Sequence, residues 1–163
     1  MNYKRNQRVG IFVDVQNLFY SAKYQYKARV NFEKLLDKLN SKRKLIRAIA
    51  YIVQTPEIDQ SHFLEMLQRN GYEIKIKQLR VRPDGSSKGD WDMGIAIDTI
   101  SMSDRLDVIV LVSGDGDFVD LTTMLKGRGA IVEVASFPKS TASELISVAN
   151  YYCPIDKDLL YYD

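Results

Sequence analysis

Between Leu111 and Asp120 the chain reads LVSGDGDFVD, which puts Asp115, Asp117 and Asp120 within six positions at the end of an apolar run. Gathering carboxylates costs repulsion unless something positive sits between them. Two other places repeat the theme. Asp14 closes the apolar run RVGIFVDV, with the neutral amide of Asn17 one turn on, and Asp90 and Asp92 flank Trp91 in KGDWDMG. Oxygen ligands of this kind suit a hard divalent cation, Mg²⁺ or Mn²⁺. Zinc is a poor fit, because Cys153 is the one cysteine and His62 the one histidine. His62, one turn before Met66 on a helical pattern, reads as an ordinary surface or half-buried residue. Each acid taken alone also has a plain reading as a helix cap. What decides is whether the fold brings the acids together.

The elements that must do so alternate in type. Strands are expected at RVGIFVDV (8–15), LIRAIAYIV (45–53), YEIKIKQLRV (72–81), LDVIVLVS (106–113) and GAIVEVAS (129–136), with a last short one in NYYCPI. Helices are expected between them. Asn31 caps NFEKLLDKL, Thr55 and Pro56 start a helix running to Asn70-Gly71, and WDMGIAIDTISMS places Met93, Ala96, Ile97 and Ile100 on one face. Gly127 stops DFVDLTTMLKG, and Thr141 with Glu144 fits a capping box on TASELISVA. The polar stretch RPDGSSKGD (82–90) is a loop. Strand and helix in turn imply an α/β fold: one doubly wound, mainly parallel sheet with helices on both faces, a single domain over 1–163 with its motifs in about 8–155. Ligands in such sheets bind beyond the carboxyl ends of the strands, where strand order reverses. With the first and fourth strands adjacent, Asp14, Asp90, Asp92, Asp115 and Asp117 would converge on one edge.

Composition bounds the rest. Lys and Arg total 23 against 21 Asp and Glu, so a polyanion partner must be argued from local clusters rather than net charge. A lone cysteine suits the cytoplasm, and no apolar stretch approaches the length of a membrane-spanning helix. Other motifs fail at identifiable residues. GDGDFV has Val119 where a dinucleotide loop needs its third small residue, Gln16 stands where a dehalogenase-type phosphatase needs an Asp, and DGDFVDLTTMLK lacks the closing Glu of an EF-hand. A phospho-receiver would use Asp14 and Lys139, but it needs an acidic pair at the first strand and an acceptor Asp after the third.

Taken jointly, GIFVDVQNLFYSA, KGDWDMGIAIDTI and VLVSGDGDFVDLTTMLKGRGAIVEV resemble the NYN domain of the PIN-like nuclease superfamily, in its LabA-like branch. The blocks occur in the family's order across roughly residues 10 to 150. The resemblance implies a parallel sheet flanked by helices, an acidic pocket for Mg²⁺ or Mn²⁺, and metal-dependent cleavage of RNA. By position it implies Asp14, Asp92, Asp115 and Asp117 as catalytic and metal-holding acids, with Asn17 as companion. Asp90 is an extra neighbouring acid, Ser113 would orient a carboxylate, and Asp98 lies six positions after Asp92, well around the helix.

A phosphodiester substrate needs a positive path to an acidic pocket. Lys42, Arg43, Lys44 and Arg47 form one basic run, Lys75, Lys77, Arg80 and Arg82 a second, and Lys126 and Arg128 a third. Arg80, Arg82 and Lys88 are the expected substrate-binding set, because they lead toward the pocket edge. Phe19, Tyr20, Tyr24 and Tyr26 could stack unpaired bases, although Phe19 and Tyr20 are expected to pack on the sheet. Trp91 reads as a packing residue, with base stacking as its alternative. The expected activity is endonucleolytic hydrolysis of single-stranded RNA. The rival is an RNA- or nucleotide-binding regulatory module that keeps the pocket and turns over slowly. The Tyr-rich LLYYD end suggests a possible homodimer.

Overall fold

Residues Val9 to Val13 are fully buried on both faces of the first strand, β1 (Arg8–Asp14), which is why its sequence is a continuous apolar run rather than an alternation. In this computed structural model residues 4–85 and 87–162 are described, with the backbone alone at Val81, Ser87 and Lys88. After β1 come α1 (Val15–Ser21), which widens into a π-helical turn over Ala22–Tyr26, then β2 (Ala28–Val30), α2 (Phe32–Asn40) and β3 (Lys44–Gln54). The chain continues through α3 (Ser61–Arg69), β4 (Glu73–Gln78), the short hairpin β5 (Arg80–Val81) and β6 (Ser87–Lys88), α4 (Asp92–Met102) and β7 (Val108–Val112). It ends with α5 (Val119–Gly127), β8 (Ile131–Ser136), α6 (Ser143–Val148), β9 (Tyr151–Pro154) and β10 (Leu160–Tyr162).

Six strands form one parallel sheet in the order β4-β3-β1-β7-β8-β9, while β2 and β10 make a separate antiparallel ribbon. The order reverses between β1 and β7, so their carboxyl ends border the crevice where such sheets hold ligands. Strand periodicity divides the core between the two faces. Ile11, Val13, Ala50 and Val110 pack under Leu18, Leu35, Leu39 and Leu67 of α1, α2 and α3. Phe12, Tyr51, Ile109 and Leu111 pack under Ile95, Leu125 and Leu145 of α4, α5 and α6.

Three local expectations are corrected. The helix expected from Thr55 begins at Ser61, because the Ile58 N–H closes a turn onto the Thr55 carbonyl at 3.3 Å and Asp59 accepts the Ser61 N–H at 3.0 Å. The capping box at Thr141 does not form. Its hydroxyl donates to the Phe137 carbonyl and meets Ser136 Oγ, leaving Ala142 at the cap of α6 without a side-chain bond. On α4 the face is rotated from the one expected, with Ile95 and Thr99 buried and Met93 and Ile97 exposed. Thr99 tolerates burial because its hydroxyl donates back to the Ile95 carbonyl at 2.8 Å.

Candidate metal centre

Asp14 sits where β1 hands over to α1. Its Oδ1 accepts the Asn17 N–H at 3.3 Å, capping the helix, and its Oδ2 accepts the Ser113 hydroxyl at 3.1 Å across the β1/β7 junction. Ser113 Oγ in turn accepts the Asp115 N–H at 3.2 Å. A second bond closes the same junction, from the Gly114 N–H to Asn17 Oδ1 at 3.1 Å. Because a backbone N–H must meet an oxygen, this bond fixes the amide of Asn17 and leaves its NH₂ as the donor end. The two loops thus hold one another through side chains about a hundred residues apart.

The remaining acids come from the loop after β7 and from the start of α4. Asp115 Oδ1 accepts the Asp117 N–H at 2.9 Å, and Asp90 Oδ1 accepts the Asp92 N–H at 3.2 Å. Asp92, Asp115 and Asp117 each offer a carboxylate oxygen, and these oxygens all lie within 4.8 Å of one another. Burial, then the charges of Asp115, Asp90, Asp14 and Asp117, push the Asp92 carboxyl up to about 7. Burial is also the main reason that Asp14 is raised. Carboxylates held this close are repelled from one another in a way that a cation would relieve, so the all-oxygen donor set fits a hard divalent ion.

Other residues singled out by the sequence fall elsewhere. Asp98 accepts the Tyr51 hydroxyl and the Lys75 ammonium, each at 2.7 Å, on the flank of the sheet. Trp91 donates its indole N–H to the Ile52 carbonyl at 2.9 Å, packs against Tyr51, and carries Lys77 4.4 Å above its ring, so its role here is packing. Arg80 and Arg82 are exposed beyond the end of β4, on the pocket's edge of the sheet. Lys88 pairs with Arg80 through the backbone, and its side chain lies outside the described residues. Lys139 rests over the Tyr26 ring rather than at the acids.

The basic run at 42–47 begins at the opposite edge, since Arg8 pairs with Lys44 and Asp14 with Tyr51. Arg43 is buried and makes a two-bond contact with Glu133, at 2.8 and 3.0 Å. Phe19 and Tyr20, expected under the sheet, are exposed, because Leu18 and Ala22 occupy the inner face of that helix. Two close approaches gave no sequence signal: Ser140 and Thr141 press their backbone onto Gly114, and Gly94 makes room for Trp91.

Residues 8–156 match the family model of the NYN domain. The chain belongs to the NYN family. Its nuclease-type fold is that of the PIN-like superfamily, and the acidic crevice just described lies within the matched span. This NYN chain is 28% identical over 162 residues to "Low amplitude and bright protein LabA" of Synechococcus elongatus, covering 93% of this chain and 86% of that one. It also superposes with a TM-score of 0.90 on the crystal structure of a protein of unknown function from Vibrio parahaemolyticus, at 33% identity, over 99% of this chain and 100% of the other. Among the described residues of the NYN chain, no helix is long and apolar enough to cross a membrane.

Proposed function

We propose that the protein is a metal-dependent ribonuclease that hydrolyses phosphodiester bonds within single-stranded RNA. The observation that carries this reading is the convergence of Asp92, Asp115 and Asp117, from two separate segments, on one volume at the β1/β7 crevice, with Asp14 held beside them. Asp92, Asp115 and Asp117 would hold Mg²⁺ or Mn²⁺, with Asp14 as the fourth acid. When bound, such an ion supplies neutralisation of the phosphate charge and Lewis acidity at its oxygens.

The chain's own groups account for the remaining needs. Hydrolysis joins a water oxygen to phosphorus, breaks the P–O bond to the neighbouring ribose, and moves a proton from the water to the departing oxygen. In the metal-free crevice Asp92 is raised to about 7, so near neutral pH it meets the cation partly protonated and releases that proton as it becomes a ligand. Ser113 keeps Asp14 turned to the crevice, and the Asn17 NH₂ can donate to a phosphate oxygen without adding negative charge. Arg80, Arg82 and Lys88 supply the cationic approach from the β5/β6 side, and Asp90 adds to the field that a cation must balance.

The test is cleavage of single-stranded RNA with Mg²⁺ or Mn²⁺ and with chelator, for wild type and Asp115→Asn. Cutting within the strand only in the presence of metal, lost in a mutant that melts like wild type, is the expected result. Equal activity in chelator or in the mutant would refute the assignment. A wild type that gains thermal stability from Mn²⁺ yet cuts no RNA would make the pocket a binding module.

A further inference from the structure

No acidic residue occurs between Asp14 and Glu33, so α1, its π-helical extension and the following β2 carry only the positive charges of Lys23, Lys27 and Arg29. The outer side of this segment is aromatic. Phe19 is 50% exposed, Tyr20 46% and Tyr24 69%. The Tyr20 and Tyr24 rings stack 5.8 Å apart with planes 5° from parallel, and Phe19 meets Tyr20 edge-on at 5.8 Å. Lys23 Nζ stands 5.8 Å from the Phe19 ring centre and 5.6 Å from that of Tyr24. Beside them a groove of about 450 Å³ is lined by Phe19, Lys23, Lys27, Ala28 and Arg29. None of these rings is needed to fill the core, which Val15, Leu18 and Ala22 reach from the inner face.

We propose that this face is a stacking site for unpaired bases of single-stranded RNA, with Lys23 and Lys27 meeting the phosphates. It adds to the reading of the crevice as an RNA site and rests on it for direction only. Asn17, Tyr20 and Tyr24 recur at spacings of three and four, so the stack begins on the same helix side as the pocket and runs about 10 Å from it. Every base offers a flat face to an aromatic ring, which makes such a platform tolerant of sequence, whereas a duplex keeps its bases stacked inside. Charge selects this occupant over a second copy of the chain. A two-fold dimer centred on this helix would set Lys23 and Lys27 near their own copies, and the segment 15–32 brings no acid of its own to lie between them.

The experiment titrates chelated protein with a fluorescein-labelled single-stranded RNA of mixed sequence and with its duplex, reading anisotropy across a salt series. Tyr20→Ala/Tyr24→Ala should weaken single-strand binding by about tenfold or more, and Lys23→Gln/Lys27→Gln should flatten the salt dependence. Both patch variants change exposed side chains, and melting curves identify any that fails to fold. Unchanged affinity in a Tyr variant that melts like wild type overturns the site, as does equal binding of the duplex. Loss of a dimer in sedimentation with RNA affinity intact assigns the face to a second copy and also overturns it. Tyr-dependent binding by a wild type that cuts nothing upholds this site while the hydrolytic reading falls.

Discussion

Asp92 is the residue on which the pocket's charge balance turns. Its carboxyl, ordinarily near 3.8, is held at about 7 by burial and by four neighbouring acids. A carboxyl raised in the native state binds its proton more tightly folded than unfolded. The stability this contributes is complete below about pH 4 and is lost as pH rises through about 7. In metal-free protein, melting temperature should therefore carry a downward component across that window, and Asp92→Asn should remove it. Protons compete with metal for the same oxygens, so the rise in melting temperature caused by Mn²⁺ should grow as pH passes 7. A wild type whose Mn²⁺ response is flat from about pH 5 to 8 would show that Asp92 is no ligand. The meeting of these acids was open to a reader of the sequence, because Asp14, Asp92, Asp115 and Asp117 each end or begin an element at one sheet edge. The engagement of Asp98 was not, since it depends on the Tyr51 hydroxyl and Lys75 arriving from neighbouring strands.

The loop after β7 works through contacts of its glycines. A Cβ on Gly114 would lie 2.3 Å from the Ser140 carbonyl oxygen and 3.0 Å from Thr141 Cα, both backbone atoms unable to rotate aside. Gly114→Ala should cost about 1–3 kcal/mol in denaturant unfolding and loosen the Asn17 bond that closes the pocket. Gly116→Ala meets only the Ala142 methyl, at 3.1 Å, and should cost less. Equal costs would mean that the Ser140–Thr141 segment yields freely. Buried strands were legible because a strand covered on both faces has to be apolar throughout, as β1 and β7 are. The α3 start and the α6 cap were misread for different reasons. After Thr55 the Ile58 N–H closes a turn and Asp59 takes the Ser61 N–H, whereas the Thr141 hydroxyl is drawn to the Phe137 carbonyl. The π-helical widening after Ser21, which accompanies the exposed Tyr20–Tyr24 stack, has no signature in residue type.

Across the whole molecule, Arg43 and Glu133 tie the stretch before β3 to β8 through a buried ion pair. Arg43 also donates to the Leu39 and Asn40 carbonyls, so removing it strands several buried acceptors together. Arg43→Ala should cost about 3–5 kcal/mol, while replacing Arg43 and Glu133 together with Met and Leu should recover the part due to the stranded Glu133 charge, though not that of the two carbonyls. Chemical denaturation of the two variants measures it, and a mild Arg43→Ala would refute the claim. Replacing the 42–44 run to probe RNA binding would instead report on folding.

The reversal of strand order between β1 and β7 also marks where the chain can be divided. Strands β4, β3 and β1 all precede the exposed Pro83–Gly85 turn, and β7, β8 and β9 all follow it. A break at that turn gives one fragment with Asp14 and Asn17 and another with Asp92, Asp115 and Asp117. Each alone exposes an unpaired central strand, and only their union rebuilds the lips of the crevice, with β2 and β10 as a second clasp. The protein should thus act as a complementation pair: two halves, fused to interacting partners, regain Mn²⁺-dependent melting only when brought together. A fragment that gains the full Mn²⁺ response alone would show that the crevice needs just one of its sides.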